Sequence, residues 1–416
     1  MLDGPPLRRE NRRMRLPLSG IRVLDLTVYQ HGPYASTILA NLGADVIKVE
    51  EVQSGDPGRY AWYSRETGLS SFFEAHNHGK RSIALDLKHP RGREVFLRLA
   101  RSSDVMLHNF RIAAVERLGL DYGSIATVNP GIVYVQASAY GPAGEERDAG
   151  AFDYIAQARG GFASTNGEPD HPPLPSVVAI GDQSGALHAC FAALAGLAGR
   201  AATGAGAKYD TSLLGSMLAL QSFDIDNYLF TGELRERFYN GGTRPFWRVY
   251  RAGDGKWFVI GMLLDRAWPE VCEVIGRPEI ARDERFDTYR KRMFEHAPAL
   301  MQILEEAFLA APARDWIERL NAIGMLAAPV QDHAEVARDP QVLANRYVQP
   351  VERPGGEPVT MVSIGVTIDD EPVPIPRLAP QLGEHTEEVL LEHGYSWEEI
   401  ADLRVAGVIG PRGTDR

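Results

Sequence analysis

One carboxylate in this chain stands where it could do chemistry. Asp182, in the string VVAIGDQSG, lies between Gly181 and Gly185 and opens an apolar run through Arg200. Two readings follow. Asp is a favoured helix N-cap, because its oxygen accepts the orphan amides of the first turn. An ionised carboxylate at a helix start, where free amides favour negative charge, is also a competent nucleophile. Other groupings offer less. His76 and His78 are two apart in a Gly-containing stretch and read as surface imidazoles. Asp224-x-Asp226-Asn227 lacks the glycine and terminal glutamate of a calcium loop. Cys190 and Cys272 are too few for a disulfide framework or a zinc site, and no H-E-x-x-H occurs, so no metal is expected. G-x-G-x-x-G, G-x-x-x-x-G-K-[ST] and G-x-S-x-G are absent, which removes the usual nicotinamide, P-loop and serine-hydrolase signatures.

The elements that must position Asp182 alternate. IRVLDLT (21–27) reads as a buried strand, and Pro33 suits the first turn of a helix running through Leu42. DVIKVE (45–50), RSIALDL (81–87), DVMLHNF (104–110) and GIVYVQAS (131–138) read as further strands. Helices are expected over 90–101 and 112–118. Such alternation predicts an open, doubly wound α/β sheet, with ligands beyond the carboxyl ends of its strands. Gly181–Arg200 reads as a central helix, apolar on almost every side, and Thr211–Phe230 as another. Beyond Asn240 a hairpin turning at Asp254-Gly255 and three helices predict a smaller α/β domain. A Pro-rich stretch follows, then two closing helices near 383–393 and 396–405.

With 416 residues, the chain has room for two or three domains of roughly 100–200 residues each. Its net charge of −11 argues against nucleic acid as a partner. The first seventeen residues read as a basic tail; no apolar stretch follows the arginines, so no secretory signal is expected. The longest apolar run, Ala186–Ala198, is shorter than the ~20 residues of a membrane span. No membrane partner and a cytoplasmic location are the expectation.

Several strings, in order, carry a resemblance. PLSGIRVLDLT, Gly32-Pro33, NLGADVIKVE, NHGKRSIALDLKHPRG, DVMLHNF with VERLGLDY, GDQSGALHACFAALAGLAGR with TGAGAKYDTSLL, and LGEHTEEVLLEHGYSWEEIADL resemble the family III CoA-transferases, which also include the α-methylacyl-CoA racemases. The likeness runs from about Leu18 to Ile409. It implies CoA transfer from an acyl-CoA thioester to a carboxylic acid acceptor, with coenzyme A as cosubstrate and no permanently bound cofactor. Asp182 matches the nucleophile, which passes through an aspartyl anhydride and an aspartyl-CoA thioester. Gln30 matches an active-site glutamine whose amide can donate to an oxyanion; a loop-capping role is the alternative. His31, Leu85, Lys88, Asn109, Phe110, Arg111 and Arg117 match positions that bind CoA, and Gly241 and Gly242 match a substrate loop. The resemblance further implies a Rossmann-like large domain built from both chain ends (18–230 completed by 370–416). It also implies a small domain (240–345), a linker (346–369) and an interlocked homodimer.

The chain departs from the family in three places. Glu51 stands where a basic residue is usual, and Arg59, Lys80 or Arg81 is the expected substitute. The glycine run of formyl-CoA transferases is reduced to Asn240-Gly241-Gly242-Thr243, which argues against formyl and oxalyl specificity. Phe152 in GAFDYIAQ occupies the place of the second acid–base histidine of the racemases. Inversion needs a group on each face of the α-carbon, so transferase ranks above racemase, and above a non-catalytic CoA-binding homologue.

Overall fold

A computed structural model of the chain describes residues 15–234, 237, 244–262 and 265–410. Six parallel strands form the central sheet: β1 (Arg22–Leu26), β2 (Asp45–Glu50), β3 (Arg81–Ala84), β4 (Val105–His108), β5 (Val133–Ser138) and β6 (Ala207–Ser212). Their spatial order is β3-β2-β1-β4-β5-β6. Chain order therefore reverses between β1 and β4, which places the topological switch point there. Val23 pairs with Val46 on one side and with Val105 on the other.

Alternation along the strands sends successive side chains to opposite faces. Val23, Val46, Val105 and Val133 pack under α1 (His31–Asn41) and under the helix Ile180–Thr203. Leu24, Ile47, Ile83 and Met106 face the helix Pro90–Arg101 and the closing helices Thr386–Glu392 and Trp397–Val405. The last described residues return to the sheet, where Ile409 bridges Leu85.

The chain divides into two compact units. The first contains residues up to 161, 176–225 and 340 onward; the second contains 162–175 and 226–339. In the second unit, β7 (Arg248–Arg251), β8 (Trp257–Met262) and β9 (Leu326–Pro329) form an antiparallel sheet in the order β9-β8-β7. Its core is aromatic, with Tyr250, Phe258, Phe308 and Trp316 in edge-on contact.

Three expectations change. The stretch 211–230 is not one helix: 207–212 is the edge strand β6, followed by helices Leu213–Leu220 and Ser222–Thr231. AKYDTS has no apolar run because an edge strand is half exposed. His76 and His78 are not surface groups. Both are buried, His76 within α2 (Ser71–Asn77) and His78 at its C-cap. The run Ala186–Ala198 lies inside a 24-residue helix, α3 (Ile180–Thr203), which is long and apolar enough by composition to cross a membrane. In this fold one of its faces packs on α1 and on the sheet through Ala186, Ala189 and Ala193. Leu187 and Phe191, one turn apart on another face, are exposed.

Candidate active site

The loop after β1 leaves the sheet at the switch point, and buried polar groups fix it. Asn109, just past β4, accepts the Val28 N–H at 2.9 Å and donates to the Val28 carbonyl at 2.8 Å. Asp56 Oδ1 accepts the Tyr29 N–H at 3.0 Å, where the backbone is left-handed with φ 65°. A non-glycine residue holds that conformation only when its surroundings impose it. Lys48 supplies the counter-charge: its Nζ donates to the Thr27 carbonyl at 2.8 Å and lies 2.9 Å from Asp56 Oδ2, with both side chains fully buried. The strained turn delivers Gln30 to the start of α1. Gln30 is buried, and as the residue before α1 its side chain makes no capping bond to that helix.

His31 fastens this turn to α3. Its imidazole is buried, its Nε2 has no hydrogen-bond partner among the described residues, and burial lowers its pKa to about 4. The ring lies so close to Gly185 that a Cβ there would stand 2.7 Å from Nε2. Gly185 therefore makes room for His31, one turn beyond Asp182, and Gln30 is brought beside the start of α3.

Asp182 is not the cap of α3. It occupies the first turn, after Ala179, Ile180 and Gly181, and Ala179 as N-cap makes no side-chain bond. The cap comes from a distant residue: Asp153 Oδ1 accepts the N–H of Gly181 at 2.7 Å and of Asp182 at 3.1 Å. A Cβ on Gly181 would stand 2.9 Å from that oxygen. Gln157, one turn along the helix Asp153–Arg159, donates to Asp153 Oδ2 and binds the Ser176 N–H at 2.7 Å. The Asp182 carboxyl is half-buried and makes no ion pair among the described residues. Burial first, and the Asp153 carboxylate second, push its pKa up to about 7. It is thus ionised above neutrality and poorly solvated, the condition that sharpens a carboxylate nucleophile.

The other expected residues scatter along the carboxyl edge of the sheet. Leu85 follows β3 with its side chain in the core and its N–H bonded to the Glu50 carbonyl at 2.8 Å. Lys88, Arg111 and Arg117 are exposed, and Phe110 is half-buried against the core. Gly241 and Gly242 lie outside the described residues. None of the three expected substitutes for a basic residue at Glu51 is free. Arg59 pairs bidentately with Glu50 at 2.7 and 2.8 Å. Lys80 is buried against Asp25 at 2.8 Å, and Arg81 binds Asp45, Glu388 and Glu392. Asp153, Asp56 and Lys48 were missed by sequence reasoning. The Asp153–Gln157 spacing of four on a short helix was the one available signal.

Comparisons with known proteins bear on this site. CoA-transferase family III matches residues 18–386. The succinyl-CoA–D-citramalate CoA-transferase of Chloroflexus aurantiacus is 32% identical over 396 residues, covering 94% of this chain and 98% of that one. The formyl-CoA:oxalate CoA-transferase of Streptomyces avermitilis is 35% identical over 413 residues, covering 95% and 100%. The crystal structure of a CaiB/BaiF family protein from Brucella suis superposes with a TM-score of 0.82 at 30% identity, covering 91% of this chain and all of that one. Match length, identity and shared fold agree, and this chain belongs to the family III CoA-transferases.

Proposed function

We propose that Asp182 is the nucleophile of a CoA transfer between a thioester donor and a free carboxylic acid. The observation that carries this is the Asp182 carboxyl itself: half-buried, without a cation, and set beside the turn that delivers Gln30. One carboxylate oxygen attacks the donor carbonyl carbon, the C–S bond breaks, and CoA leaves as a thiolate. The thiolate attacks the aspartyl carbonyl of the resulting anhydride and releases the donor acid. The acceptor carboxylate then displaces the thiolate from the aspartyl thioester. The thiolate finally takes the acceptor acyl group and restores the Asp182 carboxylate. No net proton is consumed. The Gln30 amide donates to the oxyanion formed at each addition.

The nucleotide of CoA is assigned to the carboxyl edge of the sheet, near Lys88, Arg111 and Arg117, whose exposed cations suit phosphates. Asn109, half-buried on the same edge and bonded to Val28, is assigned to that site with them. Donors and acceptors named for the relatives support thioesters and carboxylic acids as the two substrate classes. The working form is an interlocked homodimer, with a large domain of 18–230 and 370–416, a small domain of 240–345 and a linker of 346–369. Exposed Leu187 and Phe191 on α3 support a partner chain covering that face. Racemisation is disfavoured because Phe152 packs edge-on against Tyr29 at 5.7 Å and offers no acid–base group.

The test is chemical trapping. Incubation with a turned-over acyl-CoA followed by hydroxylamine or borohydride should label Asp182, found by peptide mapping. Label at another residue, or rapid α-proton exchange with inversion in deuterated water, overturns the assignment.

A further inference from the structure

We propose that a cavity walled by the first turns of α1 and α3 receives the acyl tail of the acid being loaded, and that Glu74 in its wall bars acids carrying a second carboxylate. The proposal rests on the reading of Asp182 as nucleophile.

The cavity measures about 600 Å³. Tyr34, Trp62, Glu74, His76, Gln183 and Val362 are among its walls. Two of these tie it to the candidate site. Gln183 directly follows Asp182 in the first turn of α3. Tyr34 closes the first turn of α1, its N–H bonded to the Gln30 carbonyl at 2.9 Å. The turns that carry Gln30 and Asp182 therefore also form one end of the cavity.

The walls carry no lysine or arginine, and Glu74 is their one formally charged group. It is buried, and its Oε2 accepts the Ala379 N–H at 2.8 Å. It makes no ion pair among the described residues; Arg59, held by Glu50, and Arg353, which donates to the Thr67 carbonyl, attract it only at longer range and by less than its burial opposes the charge. His76 Nδ1 is engaged with the Phe72 carbonyl at 2.6 Å. Burial pushes the Glu74 carboxyl up to about 7, so these walls resist even the one negative charge they hold. The second carboxylate of a succinyl or oxalyl group would lose its water here, find no lysine or arginine among the wall residues and face Glu74. An apolar tail meets no such cost. A volume in the range of small-molecule pockets suits a branched or ring-bearing tail better than a one- or two-carbon acid. The inferred substrates are monocarboxylic acids with apolar tails, a different class from the dicarboxylic acids named for several relatives.

The experiment compares two donor series on the full-length protein: isovaleryl-CoA and phenylacetyl-CoA against succinyl-CoA and glutaryl-CoA. Each is offered with the free acids of its own series, and CoA products are counted by mass spectrometry. Wild type should favour the monocarboxylic series in kcat/KM by ~10²-fold. Glu74→Gln keeps an oxygen for the Ala379 N–H and should narrow that ratio ~10-fold, mainly through KM of the dicarboxylic donors. CoA exchange that favours the dicarboxylic series, or a ratio unmoved by Glu74→Gln, overturns the cavity assignment alone. No CoA transfer in either series removes the transferase reading, and the cavity assignment falls with it.

Discussion

Asp153 holds Asp182 by its backbone while opposing it by charge. One carboxylate oxygen accepts the Asp182 N–H at 3.1 Å, and the same carboxylate raises the pKa of the Asp182 side chain. The two effects separate in Asp153→Asn, which keeps a carbonyl oxygen for the amides and removes the charge. The acid limb of the kcat/KM–pH profile should move to lower pH in this variant. The shift should be less than ~1 unit, because burial is the larger cause and remains. An unmoved limb would show that the two carboxyls do not interact.

Asp182→Asn should reduce CoA transfer at least ~10³-fold, since the covalent route loses its nucleophile. The same change should raise Tm at pH 8. The folded-state pKa of about 7 lies above the unfolded value, so ionisation costs stability progressively as pH rises from about 4 toward 7. Asparagine carries no such cost. Thermal melts across pH should show the advantage at pH 8 and its loss as pH falls toward ~4. A destabilised variant at pH 8 would contradict this.

Gln30→Ala should lower kcat ~10²-fold by removing an oxyanion donor, with Tm nearly unchanged because the side chain makes no capping bond. Steady-state kinetics beside a thermal melt decides it. A parallel collapse of Tm would mark the glutamine as structural.

Lys48→Met leaves the Asp56 carboxylate buried without its cation, at a cost of ~3–5 kcal/mol. It should also release the Tyr29 turn, so that kcat falls in the fraction that remains folded. Denaturant unfolding with kinetics at low temperature reads both. Lys48→Met combined with Asp56→Asn should recover part of the stability, because no lone charge remains.

The apolar pair on α3 predicts assembly. For the proposed homodimer, sedimentation equilibrium should find dimer with wild type and none with Leu187→Glu combined with Phe191→Glu. In an interlocked pair this should be accompanied by loss of the fold rather than release of a native monomer. A folded, monomeric double variant would exclude interlocking.

How much was legible depended on where the partners lie in sequence. Strands β1, β2, β4 and β5 announced themselves because parallel strands buried on both faces read as apolar runs. The edge strand β6 did not, since half of AKYDTS faces water. Lys48 and Lys80 read as ordinary charges, and nothing local reveals that Asp56 and Asp25 neutralise them inside the fold. Asp182 was recognisable through the resemblance, yet its cap lies 29 residues upstream at Asp153. That contact exists only once two helices have packed. Arg59, Lys80 and Arg81 failed as anion binders for the same reason. Composition shows a cation, and tertiary structure decides whether it is already spent.

The pair of hydrogen bonds between Asn109 and Val28 also bears on where a nucleotide would lie. In sheets with this strand order a dinucleotide usually lies in the crevice where the order reverses, its phosphates against a glycine-rich turn. Here that seam is stitched at its mouth by two hydrogen bonds of 2.8 and 2.9 Å, and the following turn is pinned by Asp56. The loop that leaves β1 is thereby tied to the residue that follows β4. With the nucleotide placed as proposed, near Lys88, Arg111 and Arg117, CoA would cross the outer rim of the strands and leave the ground above the seam to the thioester end.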